Sequence, residues 1–398
     1  MTGLLELEDA QSRLLHLAPV APVKNLAVAN CLNHYLAEPL LAMRTQPAAD
    51  LSVMDGYAVG DCDGGNYRLI GASAAGRCFQ GQLAAGDAVR ISTGAVVPAG
   101  ARSVWPQEIC STKDGIVKLS EEAPFPADSF IRRAGSDFQR NDCLLGAGQW
   151  IGPAVVALAI MAGWRTLPVR REPNIAIVQT GDELTAGSRG TGQHHSPACN
   201  GQMVAGMLHA LPCHVRLLPI APDRIDALVR TFSQCSDAEV IVTIGGASVG
   251  DHDLVRQALT EWGAVHEFWG IAIKPGRPLL VAQRGSQIVL GLPGNPASAF
   301  VTAFLFLLPL VRHMLGAANP LPAIAELPLG CNLPPGGTRR EFLRAQFEGG
   351  LLQLAGSQHS SAIHSLAYAT HLIDRPASAP PAPPNSVIRC FPLFQGLA

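Results

Sequence analysis

The chain has 398 residues, a formal net charge of −2, and 15% charged residues beside 48% hydrophobic ones. That hydrophobicity with so little net charge excludes an intrinsically disordered chain, and the missing basic excess excludes a general nucleic-acid binder. What is abundant is punctuation, 40 glycines and 31 prolines without a collagen-like period, in a chain long enough for two to four domains.

The N-terminus, MTGLLELEDAQSRL, carries acids where a secretory leader needs a basic region. It reads as an amphipathic helix, and the apolar spacing of LLELEDAQSRLL and NLAVANCLNHYL predicts helix through residues 1–45. Residues 46–140 change character: short apolar runs separated by DGG, GQ, AGD and KDG predict a β-rich lobe. PAVVALAIMAG predicts a helix opened by Pro153 and closed near Gly163, so residues 141–173 join 1–45 as a helical and linker domain. From 174 to 318 strands and helices alternate: NIAIVQT, QMVAGMLHAL, CHVRLLPI, IDALVRTF with Asp223 as its cap, EVIVTIGG, DLVRQAL, IVLGLPG and a long apolar helix at 297–315. This order predicts a doubly wound α/β domain with a mostly parallel sheet. The run Ala299–Val311 contains Thr302 and Pro309 and falls short of the roughly 20 residues of a membrane span, so it reads as a core helix. Residues 319–398 return to β-like runs, with a proline cluster (Pro376, Pro380, Pro381, Pro383, Pro384) as a loop before SVIRCF. The predicted fold is thus multidomain α/β plus β: a central doubly wound domain, a β-rich lobe, a helical and linker domain, and a C-terminal β domain. Ten cysteines without a C-x-x-C pair suggest packed, reduced thiols in a cytoplasmic protein.

Four glycine-bearing loops stand out in the α/β region. They are Thr180-Gly181-Asp182-Glu183-Leu184, Gly245-Gly246-Ala247-Ser248-Val249-Gly250-Asp251-His252-Asp253, Lys274-Pro275-Gly276-Arg277-Pro278, and Gly291-Leu292-Pro293-Gly294-Asn295-Pro296-Ala297-Ser298. Glycine permits close backbone approach to a ligand, and two of the loops lead into helix N-termini, which favour anions. Lys274 and Arg277 add positive charge, while Glu183, Asp251 and Asp253 are oxygen donors suited to Mg²⁺. The mixture suggests a phosphate-bearing ligand handled with a divalent metal. No dinucleotide or P-loop pattern is present. The β lobe adds SVMDGYAV around Asp55, ISTGA around Thr93 with Pro98-Ala99-Gly100-Ala101 behind it, and Arg132-Arg133-Ala134-Gly135-Ser136-Asp137.

In order, SVMDGYAV, RISTGAVVPAGA with Gln107-Glu108, IRRAGSD, QTGDEL, IGGASVGDHD, IKPGRP and GLPGNPAS resemble the molybdopterin molybdenumtransferase family, which includes the C-terminal domain of gephyrin. REFLRAQ and Gly356-Ser357-Gln358-His359-Ser360 resemble the family's C-terminal segment more weakly. The resemblance implies a cytoplasmic transferase that inserts molybdate into adenylylated molybdopterin and releases AMP, with Mg²⁺ assisting. It implies Asp55, Thr93, Asp137, Glu183 and Asp251 as catalytic positions, with Glu183, Asp251 and Asp55 able to hold the metal. It implies Gly245, Gly246, Ser248, Asp253, Lys274, Arg277, Pro293, Asn295 and Ser298 as substrate binders. A homodimer is implied, its cleft lying between the α/β domain of one subunit and the β lobe of the other. The molybdopterin adenylyltransferase and apo-molybdoenzymes are the implied protein partners; no nucleic acid or membrane is. The chain departs from the family pattern at Arg277, where a second Lys is usual, at SPACN, which keeps only Asn200 of an Asp-Ser-Asn segment, and at Ala369-Thr370. These departures leave room for a paralogue using tungstate, or a non-catalytic cofactor-binding or transfer protein. His194-His195 reads as an exposed loop pair.

Overall fold

The computed structural model describes residues 4–61, 65–120, 126–186, 195–246 and 254–393. Its central sheet has six strands: β1 (Asn174–Gln179), β2 (His214–Leu217), β3 (Val240–Ile244), β4 (Val265–Trp269), β5 (Leu280–Arg284) and β6 (Gln287–Leu292), in the order β2-β1-β3-β6-β5-β4. β1, β2, β3 and β6 run parallel, while β5 runs antiparallel to both its neighbours. β3 is buried at every position and β1 at all but its first residue, so each reads as a continuous apolar run, as a strand covered on both faces must. From β1 the chain moves outward to β2 and then back across β1 to β3. The strand ends of β1 and β3 therefore form the switch point, where sheets of this kind bind ligands.

A helix of 19 residues, Pro296–Met314, fills the core, and most of its surface is buried inside the protein. Its middle, Ala303–Leu307, widens into a π-turn. Pro309 has no N–H to give the carbonyl of Leu305, four residues earlier. The buried side chain of Gln11 supplies that donor instead, at 2.8 Å. One hydrogen bond thus repairs the core helix and fastens the N-terminal helix (Leu7–Leu17) to it.

The expectation of helix through residues 1–45 is corrected. Beyond Leu17 the chain forms a strand, Val23–Ala27, and a 3-10 turn, Val28–Asn30. VKNLA pairs antiparallel with Thr166–Arg170, and this tertiary pairing overrides the helical spacing. The joint is sealed by Glu172, whose carboxylate meets Lys24 Nζ at 2.5 Å and the buried His34 Nε2 at 3.1 Å. The Pro153 helix runs to Ala162 and ends on Gly163 in the left-handed region, at φ 102°, as the sequence suggested.

The β lobe contains a sheet ordered Ser103–Pro106, Gly56–Val59, Asp87–Ile91, Asn66–Ser73, Ile116–Leu119, Cys110–Lys113. Toward the C-terminus, Arg340–Glu348 pairs antiparallel with His371–Arg375, which pairs with Val387–Pro392 and that with Ala325–Pro328. The helix Ile363–Tyr368 in this region was not foreseen; six residues are too few to show a helical period. The proline cluster does lead into the last strand. Arg340 clasps the buried carboxylate of Asp374 with Nε at 2.6 Å and Nη2 at 2.7 Å, and reaches Glu8 at 2.5 Å, tying the C-terminal sheet to the first helix. Nine of the cysteines are described and all are free thiols, but Cys78, Cys143 and Cys199 are exposed rather than packed.

Candidate functional site

In the β lobe, three motifs far apart in sequence meet. Ile131–Arg132 pairs with Leu51–Ser52, which brings IRRAGSD beside SVMDGYAV. Ser52 N–H donates to Ala95 O and Gly94 N–H to Ser52 O, adding the ISTGA loop. Gly56 is required here, because a Cβ would stand 1.8 Å from the Trp105 carbonyl oxygen of the neighbouring strand. That close approach leaves Asp55 at the strand's edge, exposed. Its Oδ1 accepts hydrogen bonds from the Thr93 N–H at 2.6 Å and the Thr93 hydroxyl at 3.0 Å. The Thr93 backbone bond first, then the hydroxyl, hold the Asp55 carboxyl below its usual range, with Arg90 adding a favourable charge. Arg90 is itself placed by Tyr57 Oη and Gln107 Oε1, both at 3.0 Å. Asp137 makes a long, half-exposed ion pair with Arg132 at 3.9 Å. Arg133 binds Asp50 and Asp128, and Ala134 N–H donates to Asp50 at 2.8 Å.

The described parts of the first, second and fourth glycine loops lie at one end of the α/β strands. Thr180 N–H bonds Ile244 O at 3.1 Å and Gly245 N–H bonds Leu292 O at 3.2 Å, stitching the ends of β1, β3 and β6 together. Gly245, at φ 97°, must be glycine: a Cβ would lie 2.5 Å from Thr180 O. Gly246 follows, also in the left-handed region. Asn200 Nδ2 donates to Gly294 O at 2.6 Å, so the one residue kept from the family's Asp-Ser-Asn segment braces the fourth loop. Glu183 is exposed at the rim, and its carboxylate makes no hydrogen bond or ion pair among the described residues.

Several expectations are corrected at this edge. Asp223 does not cap the helix Ile225–Ser233, whose N-cap is Arg224. Strand-end donors take its carboxylate instead: Thr180 Oγ1 at 2.5 Å and Asp182 N–H at 3.3 Å. Lys274 is not a free cation, since its ammonium pairs with Glu341 at 2.8 Å. Arg277 is exposed, and Pro293 is buried in its turn. The helix start at Pro296 is less open to an anion than its sequence suggests. Pro296 has no N–H, Ala297 N–H is taken by Ser360 O at 3.0 Å, and Ala299 N–H by Asn295 O at 2.9 Å. Asn295 reaches Ser360 Oγ at 3.2 Å, and Ser298 is buried. Sequence reasoning missed Ser360 as a brace for this loop and Glu341 as the partner of Lys274, and gave Asp223 the wrong partner. Their signals are single acids or hydroxyls whose partners lie tens of residues away.

Ser248, Asp251, Asp253 and His194 lie outside the described residues. Among the described residues no three His, Cys, Asp or Glu side chains group as a metal cluster, so Glu183 and Asp55 do not form a ready-made metal cage with a third acid. Nor does any hydrogen bond or ion pair among the described residues join the Asp55–Thr93 pair to the α/β edge.

These features define an α/β protein with glycine-bearing strand-end loops at a sheet switch point and a separate carboxylate–hydroxyl pair in a β lobe. The chain belongs to the molybdopterin molybdenumtransferase family. Residues 5–163 match the MoeA N-terminal region (domain I and II), and residues 176–313 match the probable molybdopterin binding domain. The chain is 33% identical to the molybdopterin molybdenumtransferase of Haemophilus influenzae over 79% of its own length and 78% of that protein's. It is 30% identical to that of Bacillus subtilis over 94% of its length and 90% of the relative's. In fold it is similar to the molybdopterin biosynthesis moeA protein of Pyrococcus horikoshii, with a TM-score of 0.84 at 21% identity over 98% of this chain and all of that one.

Proposed function

We propose that the protein inserts molybdate into adenylylated molybdopterin and releases AMP. The observation that carries the reading is the Asp55–Thr93 pair: an exposed carboxylate, held ionised by two hydrogen bonds, in a family of molybdopterin molybdenumtransferases. One oxygen of Asp55 is committed to Thr93, and the other makes no hydrogen bond among the described residues and can accept one from water. Asp55 then orients water against the adenylyl phosphorus; as the water oxygen bonds to that phosphorus, the bond to the pterin-phosphate oxygen breaks, AMP leaves and the water's proton passes to solvent. A carboxyl with a lowered pKa is a weak base, so its contribution is orientation more than proton abstraction. Asp137 lies in the motif paired beside the Asp55 segment and makes a long ion pair with Arg132. Arg277 and Lys274 bind molybdate or the pterin phosphate, while Gly245, Gly246, Pro293, Asn295 and Ser298 shape the cleft. Ser248, Asp251 and Asp253 complete it in this reading.

Glu183 fits Mg²⁺, since both its oxygens are hard and uncommitted among the described residues, and Mg²⁺ is commonly held by one or two carboxylates plus substrate phosphate. Asp55, with one open oxygen, and Asp251 are the further ligands. When bound, the ion neutralises charge on the phosphate oxygens.

Asp55 and Glu183 belong to one site if a homodimer sets the β lobe of one subunit against the α/β edge of the other. The helix Pro153–Ala162 supports association. It is apolar at every position, yet only Ala159 and Ala162 are buried. Ile160 is 54% exposed and Met161 38%, beside Met43 at 55%. A helix apolar all round normally lies inside a protein or an interface. A cytoplasmic setting, and exchange with the adenylyltransferase and apo-molybdoenzymes, belong to the same proposal.

The test is AMP release from adenylylated molybdopterin with Mg²⁺ and molybdate, followed by reconstitution of an apo-molybdoenzyme. Release of AMP and a reconstituted enzyme are expected. No AMP at any molybdate concentration refutes the reading, and release only with tungstate replaces it with the altered-oxyanion paralogue.

A further inference from the structure

Lys274 sits where two sheets meet. The short strand Ile273–Lys274 leaves the α/β domain and pairs, parallel, with Arg340–Glu341 at the margin of the C-terminal sheet. Two more hydrogen bonds fasten it there: Arg340 N–H to Ala272 O at 3.1 Å, and Arg339 Nη1 to Ile273 O at 3.2 Å. The register sets Lys274 directly opposite Glu341, and their side chains meet at 2.8 Å. The two partners differ in exposure. The Lys274 side chain is 58% exposed and that of Glu341 only 14%. Two residues beyond Lys274, Gly276 is locked against Thr302, where a Cβ would come within 2.7 Å of the threonine methyl, so the loop has little room to carry Lys274 elsewhere. Of the other charges at this joint, Arg340 is committed to Asp374 and Glu8 and Arg339 to a backbone carbonyl, while the exposed Arg277 lies three residues on in the same loop.

We infer that Glu341 is a positioning residue that holds the Lys274 ammonium at the sheet joint and sets how tightly the cleft binds a tetrahedral oxyanion. The inference rests on the reading that Lys274 faces the substrate anion. In the anion-free protein, Glu341 neutralises Lys274 and aims it. An arriving oxyanion must compete with the carboxylate for the same ammonium, and Glu341 itself repels the anion. Affinity is therefore held down while the lysine stays in place. A half-exposed pair of this kind is worth at most about 1 kcal/mol, which is up to about a fivefold change in a binding constant. The pair is screened by salt like other partly exposed charges.

The probes are molybdate alone and inorganic phosphate alone, bound to the full chain and measured by equilibrium dialysis, with melting temperature recorded alongside. Two arms are used because either anion presents the same tetrahedral oxygens, and the more tightened one names the occupant. Glu341→Gln keeps the side chain's shape and removes its charge. It is expected to bind at least one of the two anions about two- to fivefold more tightly than the wild type, with the gap closing at high ionic strength. Lys274→Gln is expected to bind that anion more weakly. Unchanged or weaker binding of both anions by Glu341→Gln overturns the inference, whatever its melting temperature, because a purely structural role predicts no gain. Wild-type affinity in Lys274→Gln shows instead that the anion site has been placed wrongly.

Discussion

The β lobe and the α/β edge present their acids differently. Asp55 is already wired, with two hydrogen bonds from Thr93 and an ionised carboxylate. At the α/β edge Glu183 has no partner among the described residues, and the nearby cation Lys274 is held by Glu341. One half is preorganised, and the other waits for a ligand or ion to engage it. Preorganised groups cost little reorganisation when charge develops, whereas uncommitted ones respond to what binds. The difference suggests that the β lobe supplies fixed orientation while the α/β edge supplies adjustable charge.

The largest effects should come from removing the two acids. Asp55→Ala and Glu183→Ala are each expected to slow AMP release by about 10²-fold or more, typical of losing a group that acts on the transition state, with little change in melting temperature because both are exposed. The contrast predicts a split. Raising Mg²⁺ should recover more of the activity of Glu183→Ala than of Asp55→Ala, because Asp55 also orients the water. Equal rescue of both, measured as AMP release against Mg²⁺ concentration, would erase the distinction between the halves.

A smaller effect concerns the joint ahead of β1. Burial alone would raise the pKa of Glu172, but its bonds to Lys24 and His34 outweigh that and hold it at about 2, down from 4.5. A depressed carboxyl gives stability that is complete above its unfolded pKa and is lost as pH falls through the folded one. The wild type should therefore lose about 2 kcal/mol between roughly pH 4.5 and 2, after discounting for the partly exposed Lys24. Glu172→Gln should lack this component and be less stable by a similar amount at neutral pH, while keeping the Asp55 and Glu183 phenotypes intact. Denaturant titration at several pH values reads it; identical acid sensitivity in the two proteins would show that Glu172 does not fasten the joint.

Much of this was legible in the sequence because it is local. The buried parallel strands β1 and β3 announce themselves as apolar runs, and Pro153 and Gly163 bracket their helix through backbone geometry alone. The Asp55-Gly56 pair stood out, although its reason, the Trp105 carbonyl pressed against Gly56, is tertiary. What was not legible depends on distant partners. VKNLA reads as helix until Thr166–Arg170 is beside it. Asp223 looks like a cap until Thr180 claims its carboxylate. Lys274 looks like a free cation until a strand 67 residues away delivers Glu341.

The claim that binds these regions together is that Asp55 of one subunit and Glu183 of the other serve a single site. Mixing the inactive Asp55→Ala and Glu183→Ala variants under conditions that exchange subunits of the proposed homodimer tests it directly. Random exchange makes half the dimers mixed, and each of those carries one intact site, so about a quarter of wild-type AMP release should return. A mixture as inactive as its two components would contradict the account.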